Sequence, residues 1–261
     1  DKVGMMLLGT YQSGVYQYDP NRQKFHVYRH DPLSENSMSS NYVSAVFEDK
    51  SGTVWIGTEQ GLDRLDAKTN TFSHYRHNPG EPGSIGSDQV NAILEGRNGS
   101  LWIGGAGRSA SNLDRLDVGQ QRFIHYPVKS VRSLFEDRNG ELWAGLLDES
   151  NTGENLIRMD QKRNIVSRYS VPGTGVWCIY EDRDGDIWLG GQYCCLNKFD
   201  RRSNRFVQFV VNPNDTTGLN SGAVRTMHQD DEGNMWLGTW SGGLYKYDIR
   251  ANRFARFAEQ D

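Results

Sequence analysis

Apolar and polar residues alternate along most of this chain in short runs separated by polar turns. Val43-Ser-Ala-Val-Phe-Glu48 places apolar side chains at alternate positions and is rich in β-branched and aromatic residues, the pattern of a strand with one buried face. Asp49-Lys-Ser-Gly52 then predicts a tight turn. Aspartate accepts backbone N–H bonds at the first position, and glycine takes the positive φ that closes a bulged hairpin. Val54–Thr58 predicts a second strand, Gly61–Asp66 a third and Thr71–Tyr75 a fourth, with Ala67-Lys-Thr-Asn70 as the last turn. A 3.6-residue apolar period is absent, so helices are not expected.

This succession recurs. Val43–Thr58 is matched by Val90–Gly104, Val131–Gly145, Val176–Gly190 and Val224–Gly238. The register tryptophans Trp55, Trp102, Trp143, Trp188 and Trp236 are spaced 47, 41, 45 and 48 residues. Each unit closes on Phe-x-x-aromatic: Phe72/Tyr75, Phe123/Tyr126, Phe206/Phe209 and Phe254/Phe257; the unit from Val131 departs, with Ile165 and Tyr169. A partial unit opens the chain, with Leu7 at the tryptophan position and Phe25/Tyr28 in register, but without the opening strand. The units span approximately 1–28, 43–75, 90–126, 131–169, 176–209 and 224–257, five whole and one partial, as a single domain or fragment.

One four-stranded meander cannot bury both of its faces alone. Such units, repeated at this period, can stack radially so that each sheet covers its neighbour. The expected fold is therefore all-β, a β-propeller of four-stranded antiparallel blades; a solenoid of longer strands is the weaker alternative. The register tryptophans read as blade-to-blade packing residues, each covering roughly 150–250 Å² and worth roughly 3–5 kcal/mol on truncation. The glycine two residues later reads as the site of close backbone approach. Glu48, Glu95, Glu136 and Glu181, with Gln229 in the last unit, read as a structural position.

Composition narrows the function. The 261 residues carry a formal charge of −4 with no basic run, which argues against nucleic acid or an anionic membrane as partner. The longest apolar stretch near the start, Val3–Gly9, is too short to span a membrane. Cys178, Cys194 and Cys195 form neither a disulfide framework nor a common zinc spacing. Of His26, His30, His74, His77, His125 and His228, most fall at repeating offsets on fourth strands or links, which reads as surface placement rather than catalysis. Hydrolase-elbow, zinc-protease and phosphate-loop motifs do not occur. Asp182, Asp184 and Asp186 have the spacing of a calcium loop, but they occupy a turn that other units build without those acids. No cofactor, metal or catalytic residue is expected.

Val43–Tyr75 resembles, nearly letter for letter, the two-component regulator propeller repeat, V-x-A-I-x-E-D-x-x-G-x-L-W-I-G-T-x-x-G-L-x-R-x-D-x-x-T-x-x-F-x-x-Y. The links Tyr28-Arg-His-Asp-Pro32 and Tyr75-Arg-His-Asn-Pro79 are also similar to that family. The resemblance implies seven-bladed propellers, often in tandem, forming the periplasmic input region of hybrid sensor histidine kinases, many of which respond to oligosaccharides. By that resemblance this is a fragment of a larger receptor. The rest of the receptor chain is then a partner, the kinase activity lies elsewhere, and a homodimer forms through the full-length receptor. This segment would make no membrane contact of its own.

In a propeller the Asp-x-x-Gly turns and the last turns share one face. The second-to-third-strand loops and the links between units share the other, more variable face, where a ligand is expected. Trp177 and Trp240 fall off the tryptophan register. Trp177 stands where other units have Ser44, Asn91, Arg132 and Arg225; Trp240 stands where others have Tyr11 and Glu59. The functional reading makes the tryptophans a platform for a sugar ring and Arg132, Arg225 and Asn91 hydrogen-bond donors, the arginines suiting a carboxylated sugar; the alternative is local packing or plain surface. Three functions remain open: a non-catalytic oligosaccharide sensor, which is preferred; a propeller lyase or glycoside-acting enzyme, which needs an acid–base pair at the strand starts; and a protein-interaction scaffold.

Overall fold

The computed structural model describes residues 6–19, 24–107, 111–117, 119–147, 153–172, 175–191, 196–209, 218–219 and 223–257. Cys194, Cys195 and much of the loops 146–155 and 210–223 lie outside these. All elements among the described residues are strands, and they divide between two compact units, 1–131 and 132–261.

The first unit opens with a three-stranded sheet, β1 (Met6–Gly9), β2 (Val15–Asp19) and β3 (Lys24–Tyr28). The meander β4 (Val43–Glu48), β5 (Val54–Thr58), β6 (Gly61–Asp66) and β7 (Thr71–Tyr75) follows, with every boundary where the alternation put it. Next come β8 (Gln89–Glu95), β9 (Leu101–Ala106), β10 (Leu113–Asp117) and β11 (Arg122–Tyr126). The second unit holds three more meanders. They are β12 (Val131–Glu136) to β15 (Ile165–Tyr169), β16 (Val176–Glu181) to β19 (Arg205–Phe209), and β20 (Val224–Gln229) to β23 (Arg253–Phe257). Five sheets have four antiparallel strands in sequence order and the first has three. These are the blades of a β-propeller fold.

Each hairpin turn is built as its sequence requires. Asp49 accepts N–H bonds from Ser51 and Thr53, both at 2.9 Å, and Gly52 takes a φ of 85°. The second carboxylate oxygen has a use the sequence did not announce: it accepts the indole N–H of the register tryptophan. Asp49–Trp55, Asp137–Trp143, Asp182–Trp188 and Asp230–Trp236 make this bond at 2.7–2.9 Å. One aspartate therefore closes the turn and orients the indole.

Neighbouring blades meet through the positions assigned to packing. Within the first unit, Trp55 packs against Ile85, Val90, Leu101 and Ile103 of the following blade and its link. Within the second, Trp143 packs on Val176, Ile187 and Phe199, and Trp188 on Val224, Met235 and Tyr245. Four register tryptophans are buried; Trp236 is half-buried, because no later sheet among the described residues covers its face. The closing aromatics complete the stack: Tyr169 lies on Trp143 and Phe209 on Trp188, with ring centroids 6.1 and 5.5 Å apart.

The glycine expectation holds. A Cβ on Gly57 would lie 2.6 Å from Val90 Cγ1 of the next blade, so only glycine admits that approach. Three of the recurring Glu/Gln positions are inter-blade clamps. Glu95 accepts the backbone N–H of Lys50 at 2.7 Å, Glu181 that of Arg138 at 2.8 Å, and Gln229 that of Arg183 at 2.9 Å. Each reaches the turn of the preceding blade, where glutamine serves as well because only an acceptor is needed.

Candidate functional site

Four of the blades carry a defect near the start of the first strand. Pairing skips between Val43 and Ala45, Val90 and Ala92, Val176 and Cys178, and Val224 and Thr226. Ser44, Asn91, Trp177 and Arg225 are thus the extra residues of β-bulges. A bulge re-aims its side chain out of the alternation of the strand. The residue at this position differs between the repeats.

In the second unit these positions converge. Arg225 contacts two indoles, its Cζ 3.3 Å from the ring centroid of Trp177 and 4.5 Å from that of Trp240. Arg132, second residue of β12, sits over the same Trp177 ring at 5.6 Å. Trp240 follows β21 (Met235–Thr239), and its backbone N–H donates to the Ala223 carbonyl at 2.9 Å. That bond ties the second-to-third-strand loop to the link just before Arg225. Trp240 is 72% exposed, while Trp177, Arg132 and Arg225 are half-buried. Among the described residues no Asp or Glu pairs with Arg225. Burial and the neighbouring Arg132 charge both pull its pKa below the ordinary arginine value. The adjacent Cys178 thiol is no counter-charge, since burial pushes its pKa up to about 12. The indole N–H of Trp177 is buried with no hydrogen-bond partner among the described residues.

The other candidates lie in the first unit. Asn91 donates to the Val131 carbonyl at 3.0 Å. Tyr11 is 73% exposed and meets Tyr42 edge-on at 5.4 Å. Glu59 is exposed, and its backbone N–H reaches the Tyr42 carbonyl at 3.3 Å. Four of the seven candidates are therefore gathered in one cluster, and three stand in the other unit.

Sequence reasoning missed a pair of buried carboxylates. Asp63 and Asp114 are almost wholly buried on third strands, and each meets a fourth-strand histidine: His74 Nδ1 at 2.7 Å and His125 Nδ1 at 2.6 Å. The other ring nitrogen faces a link carbonyl, Glu35 for His74 at 3.0 Å and Pro82 for His125 at 2.9 Å. Ser39 joins the first pair, donating its hydroxyl to Asp63 at 2.5 Å. Serine, histidine and aspartate are together, but not as a nucleophile needs them. Ser39 and Asp63 both meet Nδ1, Nε2 is taken by a carbonyl, and Ser39 is buried. The group fastens the link to the blade. The shared eleven-residue spacing from Asp to His was the available signal.

The aspartates at calcium-loop spacing serve the turn. Asp182 accepts N–H bonds from Asp184, Asp186 and the Trp188 indole, and Asp186 pairs with Lys198 at 2.5 Å. Among the described residues no group of three His, Cys, Asp or Glu is placed to hold a metal. No helix of the described residues is long and apolar enough to cross a membrane.

Repeated four-stranded blades with an indole–aspartate bond in the hairpin define a propeller of sequence repeats. The two component regulator propeller profile matches residues 37–60, 84–107, 125–148, 170–193 and 218–241. These five segments are repeats of that family. No curated protein sequence gives a match. Among solved structures, an extracellular domain ascribed to a hybrid two component system of B. thetaiotaomicron is similar with a TM-score of 0.73 at 24% identity, over 92% of this chain and 31% of its own. A second such domain from that organism gives 0.74 at 19% identity, over 98% and 35%. This chain thus spans about a third of either domain. A chain of the mitotic checkpoint complex gives 0.71 at 12% identity, over 99% and 74%. Likeness at these identities establishes the fold alone.

Proposed function

We propose that this chain is the non-catalytic, ligand-sensing propeller of a larger receptor of the two-component type, and that it captures an oligosaccharide at the loop-and-link face. The observation that carries the reading is the convergence of Arg132, Trp177, Arg225 and Trp240 at positions the repeat leaves free. The family repeats supply the receptor context, and the two B. thetaiotaomicron domains, both described as extracellular, support a periplasmic placement. The remainder of the receptor, paired as a homodimer, carries the output. Capture shifts that receptor only by as much as the ligand's affinity differs between its two states. The Ser39–His74–Asp63 group offers no activated nucleophile, which favours a sensor over an enzyme.

Thermal-shift and calorimetric screening of the receptor's extracytoplasmic region against a broad oligosaccharide panel tests this. A saturable response to at least one member, without turnover, is expected. Silence across the panel, or steady release of product, overturns it.

A further inference from the structure

The sequence suggests indole platforms for a sugar ring, but the structure fills the space between them with a cation. Arg225 occupies the Trp177 face at van der Waals distance, and it also lies against the Trp240 ring. A neutral sugar cannot stack on an indole face already taken by a guanidinium. The polar edge of the guanidinium remains, and its N–H donors lie in its own plane, directed away from both rings.

We propose that Arg225, oriented by Trp177 and Trp240 and assisted by Arg132, is a receptor for an anionic group on the ligand, a carboxylate or a sulfate ester carried by a saccharide. This inference rests on the sensor reading above and specifies its ligand class. Three observations support it independently of that reading. Two arginines share one indole, so two like charges are held near each other. Arg225 has no acid partner among the described residues, and the thiol beside it is neutral. Finally, Arg225 and Trp177 both stand at bulges, which turn them out of strand packing. A half-buried guanidinium beside a like charge, with no acid partner of its own among the described residues, is costly, and an arriving anion offsets that cost while gaining bidentate, charge-assisted bonds. The stacking leaves the guanidinium few orientations, so little further ordering is needed on binding.

In this scheme Trp177 and Trp240 are positioning residues and the two arginines contact the ligand. The purified chain is titrated calorimetrically with three probes on one sugar backbone: trigalacturonate, a sulfated galactotriose and neutral galactotriose. Each is run at low and high salt. At least one anionic probe is expected to bind, more weakly at high salt, with the neutral trisaccharide at least about tenfold weaker. Arg225→Gln is expected to weaken anion binding about tenfold or more, Arg225→Lys less, and Trp240→Ala by an intermediate factor. Preference between the two anionic probes identifies the group. Circular dichroism and melting of each variant confirm that it is folded. Indole fluorescence is a second readout, and a response to the anion that is lost in Trp240→Ala assigns it to this cluster. Equal affinity for neutral and anionic probes, or anion binding unchanged by Arg225→Gln in a folded protein, overturns the inference and leaves oligosaccharide sensing standing. Binding of none of the three by the chain overturns it as well, and the panel screen above then decides the sensor reading separately.

Discussion

The turn aspartate is the most informative residue to remove, because the same residue occurs buried and half-buried in one chain. Asp182 is 2% exposed and receives the indole N–H of Trp188, itself 1% exposed, at 2.7 Å. Its other oxygen accepts the N–H groups of Asp184 and Asp186 at 3.0 and 2.9 Å. In Asp182→Ala the two turn amides can turn to water, since the turn lies at the surface. The Trp188 N–H is left without this acceptor inside the blade interface, and an unmet buried donor costs about 1–3 kcal/mol. With the weakened turn added, the expected loss is about 2–4 kcal/mol, or a fall in Tm of about 5–15 °C for a chain of this size. Asp230→Ala removes the same bonds around Trp236, which is half-buried and can be hydrated. That variant is expected to lose under about 1 kcal/mol. The chain contains its own precedent for a turn without the acid, since Gly96 holds this place before Trp102, so Asp182→Ala should still fold. Asp182→Asn keeps an acceptor and should fall between the two. Urea unfolding followed by circular dichroism, with slopes compared, measures the series. Equal losses at 182 and 230, or a loss at 182 below about 0.5 kcal/mol with an unchanged slope, refutes the account of the indole bond.

Two further outcomes follow from the packing and from the histidine on the buried Asp114. Gly57→Ala forces a methyl against Val90 and should cost about 1–3 kcal/mol, partly recovered in Gly57→Ala/Val90→Ala; denaturation midpoints of both variants check this. For His125, burial opposes the charged ring, but the hydrogen bonds to Asp114 and the Pro82 carbonyl and the Asp114 charge outweigh it and raise the pKa. A raised folded pKa contributes stability that is complete below the unfolded value near 6.5 and is lost as pH rises through the folded value. The unfolding midpoint of the wild type should therefore drop more between pH 6 and 8 than that of His125→Gln, and parallel pH profiles would remove the ion pair from the account.

The sequence by itself determined the blades. Alternation, turn chemistry and the Phe-x-x-aromatic closings are short-range signals, and strands such as Val54–Thr58 and Gly61–Asp66 formed where those signals placed them. It also marked the register tryptophans as core, because a residue needed once per unit repeats with the unit. Tertiary structure alone decided the chemistry of the variable face. The bulge at Trp177 and Arg225 arises from the register of pairing with the following strand, which the alternation of apolar residues does not encode. The contact of Arg225 with indoles from its own blade and the preceding one is set by how the blades stack. Likewise His74 and His125, legible only as surface residues, find buried carboxylates because antiparallel register lays fourth strand beside third. Local rules act between residues a few positions apart, whereas a binding site is assembled from residues that only folding brings together.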